Sequence, residues 1–214
     1  MLLQIRLNGI HSKNYIHHDL HSGNIFSFAY DNSEIGDLGL CQQLVDKKDD
    51  PHKIFGVVPY LAPEVLSKKP YTEKSDIYSF GMIMWEHTTG KKPFHDRSHN
   101  HLLISDILNG ERPQITNDTP EFYAELMKRC WDHDPENRPT AEDIFLCLEE
   151  YCYAIEEIRE IIRLAEAKRR EIINSDKFLS DIKNYKHHLG SFYTSRLQSE
   201  SVEQAHSSVI ITEL

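Results

Sequence analysis

The chain contains no apolar run approaching the ~20 residues that a bilayer span requires. Its opening stretch, Met1-Leu2-Leu3-Gln4-Ile5-Arg6, is broken by Gln and Arg before the hydrophobic segment of a secretory leader can form. The expectation is a soluble, cytoplasmic protein with no membrane partner. Cysteine is scarce: Cys41, Cys130, Cys147 and Cys152 are the only four, and none forms a CxxC pair. Free thiols in a reducing compartment are expected, not disulfides. Positive charge is also short, with 24 Lys and Arg against 34 Asp and Glu and a formal net charge of −10. That balance repels a phosphate backbone and argues against a nucleic acid partner. Glycine is sparse too, 9 in 214 residues, and no three follow a GxGxxG spacing, so a phosphate-cradling loop of that kind is not encoded here.

What is present is the composition of a globular protein, 39% hydrophobic and 27% charged. Leu3, Leu7 and Ile10 stand at helical spacing. Residues 15 to 45 then alternate short apolar pieces (Tyr15-Ile16, Asn24-Ile25-Phe26, Ile35) with Gly and Asn turns, which predicts short strands. From Ser75 the run Asp76 to Trp85 is apolar on nearly every side and ends at Gly90, the pattern of a helix buried all round. Further helices are predicted at 100–109, closed by Gly110, at 120–131, after Pro120, and at 140–152, opened by Thr140 with Asp143 three residues on. Residues 153–173 carry Ile155, Ile158, Ile162, Ala165 and Ile172 on one stripe, with Glu156/Arg159 and Glu166/Arg170 able to pair on the other side. This reads as one amphipathic helix lying back on the preceding fold. Beyond Ser175 the chain is polar and rich in Ser, and a flexible tail is expected. The predicted organisation is therefore a lobe over 1–152, a helix over 153–174 and a tail over 175–214.

The strongest chemical signal is His17-His18-Asp19-Leu20-His21-Ser22-Gly23-Asn24 followed by Asp37-Leu38-Gly39. Two carboxylates and a carboxamide form a hard-oxygen set suited to magnesium and a phosphoryl group, although Asp and Asn also favour loops for purely conformational reasons. The 13 histidines raise a zinc reading, with His17/His21 and His95/His99/His101 at short spacing. Gly and Asn turns interrupt both stretches, and no Cys or acidic residue completes a four-fold set. Capping, packing and solvent-facing roles are expected for them. Cys41 has no cationic neighbour in sequence to activate it.

These motifs, together with Ala62-Pro63-Glu64, Asp76-Ile77-Tyr78-Ser79-Phe80-Gly81, Cys130-Trp131 and Asp134-Pro135-Glu136-Asn137-Arg138-Pro139, closely resemble in order and spacing the carboxy-terminal lobe of eukaryotic protein kinases. The resemblance covers roughly residues 2–152. The Tyr-Ser-Phe-Gly and Cys-Trp wording looks most like the tyrosine-kinase-like branch, whereas Pro59-Tyr60-Leu61-Ala62-Pro63-Glu64 looks like a serine/threonine kinase. It implies a mainly α lobe with short β-strand pairs at the catalytic and metal loops and no amino-terminal lobe. It also implies signal-transducing phosphoryl transfer from ATP to Ser or Thr of a protein substrate, with Mg2+. In that frame Asp19 would orient the substrate hydroxyl, and Asn24 and Asp37 would hold magnesium and nucleotide. Leu38, where the family usually has Phe, would pack beneath the metal ligand. Glu64 and Arg138 would form a buried ion pair, and Asp76 would bind the backbone of the catalytic loop.

Departures are equally legible. Lys13 is the only Lys before His17, so no phosphate-binding lysine on a separate strand is present. His18 replaces the Arg that grips an activation-loop phosphate, and residues 40–61 contain no Ser or Thr, with Tyr60 the one hydroxyl. Regulation by activation-loop phosphorylation is therefore not expected. His21 stands where Lys or Arg is frequent, and Val57 where Thr is usual. The resemblance leaves three expectations open: a truncated kinase catalytic domain, a catalytically weak or inactive kinase-like module whose exposed inter-lobe face docks another protein, or a fragment of a longer kinase whose amino-terminal lobe is encoded upstream.

Overall fold

The computed structural model describes residues 7–28, 32–43, 53–153, 156–175 and 186–212. Those residues are mainly helical, with strands only as three antiparallel two-stranded sheets. In chain order the elements are α1 (Leu7–His11), β1 (Tyr15–Ile16), β2 (Ile25–Phe28), β3 (Asn32–Ile35), β4 (Gln42–Gln43), β5 (Phe55–Gly56), α2 (Pro63–Leu66), α3 (Glu73–Thr89), α4 (His101–Leu108), α5 (Glu121–Cys130), α6 (Ala141–Tyr153), α7 (Glu156–Ile173), β6 (Arg196–Leu197) and α8 (Ser199–Thr212). Leu3 and the rest of residues 1–6 lie outside the described residues, so α1 is seen only from Leu7. No helix among the described residues is long and apolar enough to cross a membrane.

Helix α3 is the centre of the core. Thr72 and Ser75 close a reciprocal capping box at its start, and Gly90, at φ 68°, ends it in the left-handed conformation. Every residue from Ser75 to Trp85 is buried, which is why the sequence there shows no polar stripe. Ile77, Tyr78, Met82 and Met84 meet Leu103, Ile104, Ile107 and Met127 in one cluster. Each such aliphatic side chain contributes about 1.5–3 kcal/mol on burial. Gly81 is required by close packing, since a Cβ there would lie 2.9 Å from Cys130 Cβ and 3.2 Å from the Trp131 nitrogen.

The outer helices begin where side chains satisfy their free N–H groups. The Asn100 carboxamide accepts from Leu102 N and Leu103 N at 3.1 and 3.4 Å to start α4. Asp143 accepts from Thr140 N at 2.9 Å while Asp143 N donates to Thr140 Oγ1 at 3.1 Å, starting α6. In α7, Ile158, Ile162 and Ala165 are half-buried while Ile161 and Leu164 are exposed. Its far end is tied down by Lys168 Nζ donating to Asn117 O at 2.9 Å and by Arg169 pairing with Asp118 at 3.2 Å. Ile155 is outside the described residues. Burial pushes the Cys41 and Cys130 thiols up, so neither is a ready thiolate.

The expected flexible tail is corrected for residues 186–212. His188 N donates to His95 O at 2.9 Å and His99 N to Gly190 O at 2.8 Å. Strand β6 then pairs with β5, and Val202 and Ala205 of α8 are completely buried against the lobe. Composition misses this because the strand is held by backbone bonds that any sequence carries. The helix needs only two small apolar residues, three apart, on one face.

Candidate active site

The site is assembled around Asp76, in the first turn of α3 and 2% exposed. Its carboxylate accepts His17 N at 2.8 Å, His18 N at 3.2 Å and His11 Nε2 at 2.9 Å. A carboxylate near a helix N-terminus is also favoured by the helix dipole. These bonds hold the loop that follows β1 in its turn, in which His18 takes a positive φ of 69° and stacks on Tyr71 with ring centroids 4.5 Å apart. Asp76→Ala would strand two backbone donors of this loop, and each buried unsatisfied group costs about 1–3 kcal/mol. Urea unfolding of that variant is expected to show a loss of about 2 to 3 kcal/mol, since partial rehydration spares some of the penalty. An unchanged midpoint would mean that the loop is held by other contacts.

His17 is completely buried and joins the loop to the β2–β3 hairpin. Asp19 N donates to its Nδ1 at 3.3 Å, so the proton sits on Nε2, which donates to Gly36 O at 3.0 Å. The same hairpin is tied to Asn24, because Gly36 N donates to Asn24 O at 2.9 Å and Ile25 pairs with Ile35. Asn24 in turn donates its Nδ2 to the Asp19 carbonyl at 2.8 Å. With the amide nitrogen committed, the amide oxygen is the atom that can meet a cation.

Asp19 is 8% exposed. Its Oδ2 lies 3.6 Å from His21 Nε2, and Gly23 N donates to His21 Nδ1 at 3.1 Å, which puts the His21 proton on the side facing Asp19. The Ser195 side chain, from the segment before β6, lies beside the same carboxylate and helps to lower its pKa. Burial raises the Asp19 pKa, but His21, Ser195 and the nearby His17 outweigh it, and the carboxyl is held below its ordinary value. It is ionised at neutral pH.

Asp37 directly follows Gly36, is exposed and adopts φ 54°, a left-handed conformation that Asp tolerates better than most residues. The structure therefore joins Asp19 and Asn24 directly, and connects Asp37 to them through the Gly36 backbone. Leu38 is 54% exposed and does not pack beneath Asp37. The three-residue turn it opens places its side chain outward, which corrects the expectation drawn from the usual Phe. Two protein oxygens, the Asn24 amide and the Asp37 carboxylate, fit magnesium, which takes few protein ligands and completes its shell with water and phosphate oxygens. Among the described residues no group of three or more His, Cys, Asp or Glu side chains forms a metal cluster.

Glu64 and Arg138 meet in a two-pronged pair, Nη1 to Oε1 at 2.7 Å and Nη2 to Oε2 at 2.8 Å. Ser75 adds a hydroxyl to Oε1 at 3.1 Å, and Arg138 also donates to the carbonyls of Asp132, Lys74 and His133. The pair pins the end of the Ala62-Pro63-Glu64 segment to the core and lies outside the Asp19 cleft. A second network was not foreseen from sequence. Tyr60 donates its hydroxyl to Glu86 Oε2 at 2.6 Å, and Lys92 reaches Glu86 Oε1 at 2.7 Å and Ser22 Oγ at 2.6 Å. Burial, then the Glu86 charge, pushes the Tyr60 phenol well up. Neither these partners nor His11 and Ser195 carry a local sequence signal, because their contacts span distant parts of the chain.

A family model described as protein tyrosine and serine/threonine kinase matches residues 7–148. Similar proteins include mitogen-activated protein kinase kinase kinase 12 of Rattus norvegicus, 33% identical over 67% of this chain and 16% of its own length. Serine/threonine/tyrosine-protein kinase HT1 of Arabidopsis thaliana is 33% identical over 69% of this chain and 38% of its own length. Dual specificity protein kinase shkC of Dictyostelium discoideum is 34% identical over 67% of this chain and 29% of its own length. The chain thus spans well under half the length of these relatives. With a helical lobe, an Asp19–Asn24 loop held on Asp76, and a family match over most of its length, the chain belongs to the protein kinase family.

Proposed function

We propose that the chain transfers the terminal phosphoryl group of ATP to a Ser or Thr hydroxyl of a protein substrate. The observation that carries this is the buried Asp19 carboxylate, held ionised beside Asn24, whose Nδ2 donates to the Asp19 carbonyl at 2.8 Å. In the reaction the acceptor oxygen forms a bond to the γ-phosphorus as the bond from that phosphorus to ADP breaks, and the hydroxyl proton passes to Asp19. Asp19 aims the hydroxyl, and His21 and His17 keep its charge in place. Asn24 and Asp37 would hold magnesium, which when bound neutralises phosphate charge. Glu64, Arg138 and Asp76 act structurally by fixing the loops. A Ser/Thr acceptor is favoured by the Pro59-Tyr60-Leu61-Ala62-Pro63-Glu64 wording, whereas the relatives' names, serine/threonine/tyrosine and dual specificity, fit Ser, Thr and Tyr alike. A signalling role in the cytoplasm belongs to the same proposal, in keeping with the free thiols of Cys41, Cys130 and Cys147.

Regulation by a phosphate in the activation loop is not part of this reading. Tyr60 is buried and bonded to Glu86, and His18 is stacked on Tyr71. The proposal is tested by titrating a non-hydrolysable ATP analogue with and without magnesium. Magnesium-dependent binding that Asp37→Ala weakens at least tenfold is expected, and binding indifferent to both would refute nucleotide handling at this site.

A second reading is favoured by the exposed apolar side chains Phe26, Leu38 and Leu40 beside the metal loop. Such a face suits docking by another protein domain, and the lobe would then act as a binding module. Analogue binding that fails at saturating concentration, with the fold intact, would favour it.

A further inference from the structure

The Ser195 side chain beside the Asp19 carboxylate belongs to a segment outside the kinase match, which ends at residue 148. Phe192 N donates to His99 Nδ1 at 3.1 Å and Tyr193 donates its hydroxyl to Pro93 O at 2.9 Å, leading the segment to the cleft. One residue past Ser195, β6 runs antiparallel to β5 with Arg196 opposite Gly56 and Leu197 opposite Phe55. Gln198, 3% exposed, extends the ladder, its N–H donating to Ile54 O at 2.7 Å and its Nε2 to Gly56 O at 3.0 Å. Strand β5 passes close to the catalytic group. Gly56 has φ 138°, and a Cβ placed there would lie 3.7 Å from Asp19 Oδ1 and 2.8 Å from Leu61. Beyond Gln198, α8 seats Val202 and Ala205 against the lobe, contacts α4, and brings His206 Nε2 within 2.9 Å of Leu66 O. The segment thus combines two recurring ways in which a peptide is bound, as a strand added to an edge and as a helix laid in a groove.

We propose that residues 194–206 occupy the groove a protein substrate uses, with Ser195 in the phosphoacceptor position, so that the chain carries and is blocked by its own substrate segment. This rests on the phosphoryl-transfer reading of Asp19. Backbone bonds to β5 give affinity, and Gln198 and the buried face of α8 set the register that delivers Ser195, not Thr194 or Ser199, to the carboxylate. Ser195 remains exposed on its other side, where a phosphate donor can approach. Transfer would form the Ser195 Oγ–phosphorus bond, break the phosphorus–ADP bond and send the proton to Asp19. The product carries about −1.5 to −2 charges beside Asp19 and is repelled from it, so modification opens the groove.

The test uses the full chain. Gln198→Pro removes both ladder bonds without adding a buried charge, and the double variant Val202→Asp/Ala205→Asp unseats α8. A fluorescent peptide of residues 190–212 is titrated into each, with circular dichroism confirming the fold. Both variants are expected to bind at least tenfold more tightly than the unaltered chain, whose tethered segment competes at ~mM effective concentration. The same peptide with phosphoserine at 195 is expected to bind at least tenfold more weakly than the unmodified one. Equal binding to variants and unaltered chain overturns the groove, and indifference to the phosphate overturns the acceptor position. Separately, incubation with magnesium and ATP followed by mass spectrometry reads phosphate on Ser195. Its absence, with the peptide results intact, counts against phosphoryl transfer by the chain and leaves the groove assignment standing.

Discussion

Arg138→Ala is expected to lower the stability of the chain by about 3 to 5 kcal/mol, the usual cost of removing one partner of a buried ion pair. The side chain is wholly buried, donates twice to Glu64, and reaches three backbone carbonyls. Its guanidinium also sits 5.3 Å from the ring centre of Tyr78, so truncation removes packing as well as charge. Glu64 would be left buried with only the Ser75 hydroxyl among its charge-satisfying partners. For a chain of this size each kcal/mol moves the melting midpoint by ~2–4 °C, so calorimetry should show a fall of roughly 6–20 °C. Replacing both partners with apolar residues of similar volume should restore much of the loss, because the cost lies in the uncompensated charge more than in the pair. A fall of under 2 °C for the single variant would mean that Glu64 finds another partner or water.

Asp19→Asn is expected to cut phosphoryl transfer by about 10²–10⁴-fold, the range for losing a general base, while the melting midpoint holds. The variant keeps the shape of the side chain, and the bonds that fix this residue in the loop are made by its backbone, N–H to His17 and carbonyl to Asn24. What is lost is a negative acceptor for the substrate proton. Loss of less than tenfold would move the base role elsewhere. The pH dependence gives an independent check. Because Asp19 is held below its ordinary carboxylate value, it stays ionised on acidification until the pH passes beneath the usual ~3.9. A rate that falls between pH 7 and 5 must therefore report another group or a change in substrate.

The helices were legible because their signals are local. Thr140 with Asp143, Asn100 ahead of Leu102 and Leu103, and the uninterrupted apolar run of α3 each act within a few residues, and the structure begins or buries those helices accordingly. The short strands around Ile16, Ile25 and Ile35 were legible for the same reason. Leu38 was misread because an apolar residue does not reveal whether its turn points in or out. Residues 199–208 were misread because polarity was taken as freedom, whereas two buried side chains and a strand ladder suffice once a receptive groove exists. The Tyr60–Glu86–Lys92–Ser22 network was invisible since four polar residues on separate elements share no spacing rule.

Residue type and order alone placed Asp19, Asn24 and Asp37 in one kinase-like string and made α3 the buried spine, since both depend on chemistry and periodicity carried along the chain. Chain path in three dimensions decided the rest: that His11, His17 and His18 converge on Asp76, and that Ser195 reaches Asp19. Contacts between segments far apart in sequence depend on how elements pack, and packing is a property of the whole fold that no local pattern encodes.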